Sequence, residues 1–224
     1  MLFNILRGGF SPIQIITSLF AVAFVVFCTL PVHEYAHALV ATKLGDDTPR
    51  LSGRLTLSPM AHIDPIGAIM ILLIGFGYAK PVNVNPRNFK NPKVGMATTA
   101  LAGPIANLLM SFVFMFLMYL CAFLLPQNLV VSAIISFFNF AALINIGLAV
   151  FNLIPIPPLD GSRVLQLLIP DKYYYKFMQY ERYIILVVFG LIIFGVLDKP
   201  LNFFQMAIYN SMEFIFSSIF GLFS

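Results

Sequence analysis

The apolar run from about Ile13 to Leu44 carries no charge before Glu34, yet it holds His33, Glu34 and His37 within itself. A stretch of that length crosses a bilayer as a helix, for which about 20 residues suffice. It is too long for the apolar region of a signal peptide and lacks a small-residue cleavage site, so it is expected to persist as an uncleaved first span. Composition agrees. Hydrophobic residues make up 60% of the 224 and charged residues 10%, against about 25% charged in ordinary soluble domains. Mean hydropathy is +0.92, and a soluble fold of this size has too little interior to hide so much apolar side chain. Lipid must be the solvent for most of the surface. A secreted disulfide scaffold, a disordered regulator and a conventional cytosolic enzyme are thereby excluded. Cys28 and Cys121 sit in apolar runs and read as small buried hydrophobes.

Further along, a loop from Gly45 to Asp64 contains Arg54-Leu55-Thr56-Leu57, whose polar-apolar alternation predicts a short strand or hairpin. Ile66 to Ala79 is apolar but too short to span, so a re-entrant or interfacial segment is expected. After the polar loop Lys80 to Lys93 come apolar stretches at Met96 to Leu125 and Leu129 to Ile154, the connector Arg163 to Arg182, and two helices, Tyr183 to Leu197 and Leu201 to Phe223. The fold class expected is an all-α polytopic membrane protein: about five transmembrane helices, a re-entrant segment and a short hairpin. It forms a single domain over 1–224, with a core at 12–165 and C-terminal helices at 183–223.

If Ile66 to Ala79 does not cross, the loops after Leu44, Ala79 and Gly161 share one side. Counting Lys43 at the edge of the first, eleven of the thirteen Lys and Arg lie there, Arg7 and Lys199 being the exceptions. Excess Lys and Arg marks cytoplasmic loops, so the N-terminus is expected outside. The net charge of +4 is then a membrane signature. No basic run with interleaved aromatics suggests a nucleic-acid partner.

An ionisable group at membrane depth costs several kcal/mol and is a functional hypothesis by default. In His33-Glu34-Tyr35-Ala36-His37 the imidazoles are four residues apart, so a helix places them one turn above the other on one face. This is the HExxH pattern, in which two His bind zinc and the Glu handles the proton of the attacking water. A catalytic zinc takes three protein ligands, so one more is needed. Asp160 is a candidate: it follows Asn152 and the prolines Pro155, Pro157 and Pro158, which cannot continue a helix. Open backbone at membrane depth is tolerated only where it is buried in protein or lines a water-filled cavity. In the five-crossing topology Glu34, about 15 Å from the end of its helix, and Asp160 both lie toward the cytoplasm.

At these residues the chain resembles the site-2 protease family of intramembrane zinc metalloproteases, in the short form without a PDZ or CBS domain. The resemblance rests on HExxH, on Ala102-Gly103-Pro104-Ile105-Ala106-Asn107, and on Asn152 followed by Asp160-Gly161. It implies one zinc ion held by His33, His37 and Asp160, with Glu34 as general base. Asn152 would bind the substrate backbone or the developing oxyanion. A transmembrane protein or peptide would be the substrate, cut within its helix in the cell membrane, with the active site toward the cytoplasm. A helical substrate must unwind first, and pairing with exposed backbone would satisfy its freed groups. Arg54, Leu55, Thr56 and Leu57 are the expected strand for this, and Asn107 is expected either to bond within the bundle or to approach the substrate.

Two other functions fit the same residues: a zinc hydrolase acting on a lipid or small amphipathic amide, and a non-enzymatic metal-handling bundle. His62 and Asp64 are expected to serve their loop, and Asn139 and Asn145 to bond between helices. Nothing in the sequence sets an oligomeric state.

Overall fold

A computed structural model describes residues 11–74 and 79–222, and these form an all-α bundle. Arg7, residues 75–78 of the short apolar segment, and Phe223 lie outside the described residues.

The first apolar run becomes one rod of 32 residues, Pro12–Lys43. Its start is a reciprocal cap: the Gln14 amide donates to Ser11 Oγ, the Ser11 amide donates to Gln14 Oε1, and Pro12 opens the first turn. The rod consists of α1 (Pro12–Phe24), a π-helical turn at Val25–Thr29, and α2 (Leu30–Lys43). Pro31 has no amide hydrogen, and its ring would clash with the carbonyl four residues back. The widened turn just before it absorbs that defect: the amide of Leu30 and the hydroxyl of Thr29 both donate to the Val25 carbonyl.

Three short helices follow, α3 (Thr48–Leu51), α4 (Pro59–His62) and α5 (Pro65–Ile74). The hairpin expected at Arg54–Leu57 does not form. The Arg54 amide is taken by the Pro49 carbonyl at 2.8 Å, closing α3, and Gly53 turns the chain with a φ of 70°. The Arg54 guanidinium donates to the Ala61 carbonyl, and His62 Nε2 donates to the Thr56 carbonyl at 2.7 Å. Thus the groups that a strand would need are committed to loop contacts. The only β pairing among the described residues is an isolated antiparallel bridge between Ile63 and Ala79. With the Lys80 amide donating to the His62 carbonyl at 2.7 Å, it returns the chain to the point from which α5 departs. Asp64 Oδ1 caps α5, accepting from the amides of Ile66 and Gly67. His62 and Asp64 have the local roles expected.

Two long helices come next, α6 (Pro92–Leu124), capped by Asn91, and α7 (Leu129–Asn152), capped by Asn128. α6 packs against both α2 and α7, and α1 packs against α7. The contact is built on small residues: Ala38, Ala41, Ala97, Ala141, Ala142 and Ala149 are each at most 1% exposed. Lipid tails provide no hydrophobic drive between helices, so close approach and van der Waals packing hold them together. Large apolar side chains such as Phe20, Leu109 and Phe214 point outward, the pattern of a molecule dissolved in lipid. Cys28 is exposed among them rather than buried, and both cysteines are free thiols.

The chain ends with α8 (Asp160–Leu165), α9 (Asp171–Gln179), α10 (Glu181–Ile193) and α11 (Asp198–Gly221). α11 packs on α7 and α6, burying Phe216 beside Phe114 and Met115. Gln205 Nε2 donates to the Leu143 carbonyl at 2.8 Å and the Tyr209 hydroxyl donates to Asn139 Oδ1 at 2.9 Å. Asn145 differs from expectation, since its amide turns back to the Ala141 carbonyl of its own helix.

Among the described residues, three helices are long and apolar enough to cross a membrane: Pro12–Lys43, Pro92–Leu124 and Leu129–Asn152. Multi-pass membrane character follows; a count of five does not. α10 has 13 residues, about 20 Å of helix against a hydrocarbon core of about 30 Å. α11 has the length, but Asp198, Lys199, Asn202, Gln205, Asn210 and Glu213 dilute its apolar character.

Candidate metal centre

α2 carries His33 and His37 one turn apart, with their rings 4.6 Å between centroids and nearly perpendicular. α6 crosses directly over them at Gly103. A Cβ at that position would lie 2.3 Å from His37 Nε2 and 2.6 Å from His33 Nε2, so any side chain there would occupy the corner. Asp160 arrives from the other side. After α7 ends, the Pro-rich turn folds back so tightly that a Cβ on Gly161 would meet the Leu153 and Ile154 carbonyls at 2.3 and 2.5 Å. This close approach holds the first turn of α8, and with it Asp160, against the end of α7.

Three lone-pair atoms converge as a result. His33 Nε2 and His37 Nε2 are 3.0 Å apart, and Asp160 Oδ2 is 3.4 and 3.3 Å from them. Ligand atoms about 2.0–2.1 Å from a tetrahedral centre stand about 3.3–3.4 Å from one another. The match is close.

The residues behind the imidazoles determine which nitrogen carries a hydrogen. His37 Nδ1 lies 2.7 Å from the Thr99 carbonyl of α6. A carbonyl only accepts, so Nδ1 is the donor and Nε2 keeps its lone pair. His33 Nδ1 lies 3.1 Å from the side-chain amide of Asn107, whose Oδ1 is otherwise a buried acceptor without a donor. The two ends of a carboxamide are nearly identical in shape. Turned so that Oδ1 accepts the Nδ1 hydrogen, the carboxamide oxygen is paired and His33 Nε2 is also a lone pair. Asp160 Oδ2 is itself a buried atom without a hydrogen-bond donor. An electron-rich corner of this kind is complemented by a divalent cation, and two imidazoles with one carboxylate suit zinc.

The corner opens into a cavity of about 1130 Å³. Glu34, 8% exposed, lines it beside His33, and Asn152 lines it at the end of α7, with its side-chain amide donating to the Leu148 carbonyl at 3.0 Å. The structure thus gathers His33, Glu34, His37, Asn152 and Asp160 around one space. Asn107 is 1% exposed, stands behind His33 and is not among the residues that line the cavity. Arg54, Leu55, Thr56 and Leu57 are not among the residues that line the cavity. Pro81, Val82, Asn83 and Val84 line it instead.

Sequence reasoning missed that segment and the Thr99 carbonyl. A backbone carbonyl leaves no trace in residue type. Val82 and Val84 alternating with exposed Pro81, Asn83 and Asn85 is a strand-like signal, but a short one between prolines.

A family description, Peptidase family M50, matches residues 121–196. YwhC of Bacillus subtilis, whose name assigns it to the zinc metalloproteases, is 42% identical over 167 residues, covering 74% of this chain and 74% of that protein. Rip2 of Mycolicibacterium smegmatis, named likewise, is 30% identical over 143 residues, 62% of this chain and 53% of its own. MJ0611 of Methanocaldococcus jannaschii, also so named, is 36% identical over 102 residues, 45% and 49% of the two chains. The matches to the latter two span about half of each relative's length. No solved structure matches the chain.

Proposed function

The chain belongs to peptidase family M50 and is a zinc-dependent intramembrane protease; from that premise we propose how its residues divide the work. His33, His37 and Asp160 hold one zinc ion. The observation that carries this is their convergence, with three ligand atoms no more than 3.4 Å apart at the edge of a cavity. When bound, the ion supplies a Lewis acid for the scissile carbonyl and lowers the pKa of its water. Glu34 takes the proton of the attacking water and delivers it to the leaving amine. Asn152 orients the substrate backbone or the oxygen on which charge develops. Thr99 and Asn107 fix the tautomers of the imidazoles and so keep Nε2 free in each.

The substrate is a membrane-embedded peptide segment, unwound before cleavage. Its freed amides and carbonyls pair with residues 81–84 rather than with 54–57. Among the described residues, Val82, Asn83 and Val84 have no backbone hydrogen-bond partner, and all three line the cavity. Such an edge receives an extended peptide by strand addition. The Ile63–Ala79 bridge supports a re-entrant reading of α5, because a segment that returns to its start does not cross. With α11 and the shorter α10, around which the bilayer thins locally, added to the three apolar spans, the chain crosses five times. Its cationic loops then face the cytoplasm, and the active site lies toward that side.

The test is Glu34→Gln in reconstituted vesicles. Bound zinc should remain at one per chain while cleavage of a single-span substrate is lost. Retained turnover would exclude the general-base assignment. Cleavage of lipid amides but not peptides would favour the lipid-hydrolase alternative, and metal uptake surviving the substitution with no hydrolysis by either form would favour a metal-handling bundle.

A further inference from the structure

Asp46 is the most completely hydrogen-bonded carboxylate among the described residues, and neither the metal centre nor the Glu34 chemistry uses it. It lies just past the C-terminal end of α2, with 0% exposure, in a loop. Oδ1 accepts from the Thr48 amide at 3.1 Å, the Thr48 hydroxyl at 2.6 Å and Asn88 Nδ2 at 2.6 Å. Oδ2 accepts from the Asn85 amide at 2.7 Å. No cation pairs with it among the described salt bridges. The Asp46 amide donates to the Ala41 carbonyl at 3.0 Å, so the carboxylate is carried rigidly by the helix that bears His33 and His37.

Asn85 is the residue directly after the cavity-lining segment. That segment is therefore held at both ends. One tether is the Lys80 amide on the His62 carbonyl beside the Ile63–Ala79 bridge, and the other is Asp46 on the Asn85 amide. Between the two, residues 81–84 belong to no helix or strand and are backbone-unpaired among the described residues. Hydrogen bonds to a charged acceptor are roughly twice as strong as neutral ones. Asp46 thus ties the segment 81–84 to the helix that bears the imidazoles.

We infer that Asp46 is a positioning residue: it latches the edge 81–84 to the metal-bearing helix, in the register at which an extended substrate segment presents its carbonyl to the centre. The inference rests on the strand-addition reading above, and its test separates the two. The protein carries Cys28→Ala and Cys121→Ala, with Glu34→Gln to retain substrate. One reporter is Asn83→Cys on the edge, and another is Ile192→Cys on a different element lining the same cavity. The probe is a synthetic single-span peptide of about 20 Ala and Leu residues, interrupted by Gly-Ser-Gly and bearing one cysteine beside the interruption, co-reconstituted in vesicles.

With Asp46 intact, both reporters should form disulfide cross-links to the probe. Asp46→Asn should lower the cross-link at Asn83→Cys about fivefold and leave that at Ile192→Cys within about twofold, with zinc content unchanged. In the Glu34 form, kcat/KM for the same probe should fall about tenfold, mainly through KM. Parallel loss at both reporters would reduce Asp46 to a structural tether and overturn the latch, as would no loss at either. Absence of the Asn83→Cys cross-link with Asp46 intact would overturn the strand reading itself. If Asp46→Asn loses its zinc through misfolding, Thr48→Val takes its place. It removes one donor and keeps the carboxylate, and a selective loss of about twofold at the edge is then the expected result.

Discussion

At Gly103 a single missing Cβ decides whether the site exists. Alanine there would put a carbon 2.3 Å from His37 Nε2 with α6 backbone behind it, so neither ring nor helix could move aside without losing the Thr99 or Asn107 contact. Gly103→Ala should abolish zinc binding while leaving the protein helical, as measured by metal analysis and circular dichroism of the purified protein. Asn107→Ala removes the group behind His33 Nδ1 and should weaken zinc affinity about 10–100-fold, read by competition with a fluorescent chelator. Glu34→Gln belongs to another class. It leaves all three ligand atoms in place, so zinc should remain while the cleavage rate falls by about 10²–10⁴. An Asn107 variant with undiminished zinc affinity would leave the tautomer argument without support.

The elements divide into those that apolar runs announce and those that need a partner. The rod Pro12–Lys43 and the helices α6 and α7 were legible because each has a long apolar run, and the structure adds caps at Ser11, Asn91 and Asn128. The Pro-rich turn was legible because proline cannot propagate a helix. Residues 54–57 misled, since alternation marks a half-buried strand only if another edge is present, and here Arg54 and Thr56 spend their backbone groups on α3 and on His62. The docking edge we propose lies at 81–84 instead. Asn83→Pro would delete one amide from that edge without reaching the imidazoles, so cleavage should drop about tenfold at constant zinc content. Leu57→Pro, outside the cavity, should leave cleavage within about twofold. Equal effects of the two substitutions in a vesicle cleavage assay would argue against the edge as the docking strand.

On the scale of the whole molecule, the apolar surface faces outward, and cohesion comes from small-residue helix contacts plus a few polar hubs. Asp46 is one of them. Burial alone would raise its carboxyl group, but hydrogen bonds from Thr48, Asn85 and Asn88 outweigh that and hold it below the usual carboxylate range. Its contribution to stability is therefore fully present above the unfolded value near 3.9 and is lost as pH falls through the lower folded value. Thermal unfolding of zinc-depleted protein between pH 7 and pH 3 should show the wild type losing more of its midpoint than Asp46→Asn does. Zinc depletion removes the separate contribution of His33 and His37 releasing metal in acid.

The order of residues along the chain was enough to establish membrane residence, the helical class and the chemistry of the centre. Those follow from local rules: lipid demands apolar runs with internally satisfied backbones, and a four-residue spacing puts two imidazoles on one face. Tertiary structure alone decided how the remaining parts meet. The carbonyl of Thr99 behind His37, the amide of Asn107 behind His33, the vacancy at Gly103 and the tether from Asp46 to Asn85 join segments far apart in sequence. Such contacts depend on which helix faces cross and how closely, and a backbone group or a missing methyl leaves no periodic signal from which to read them.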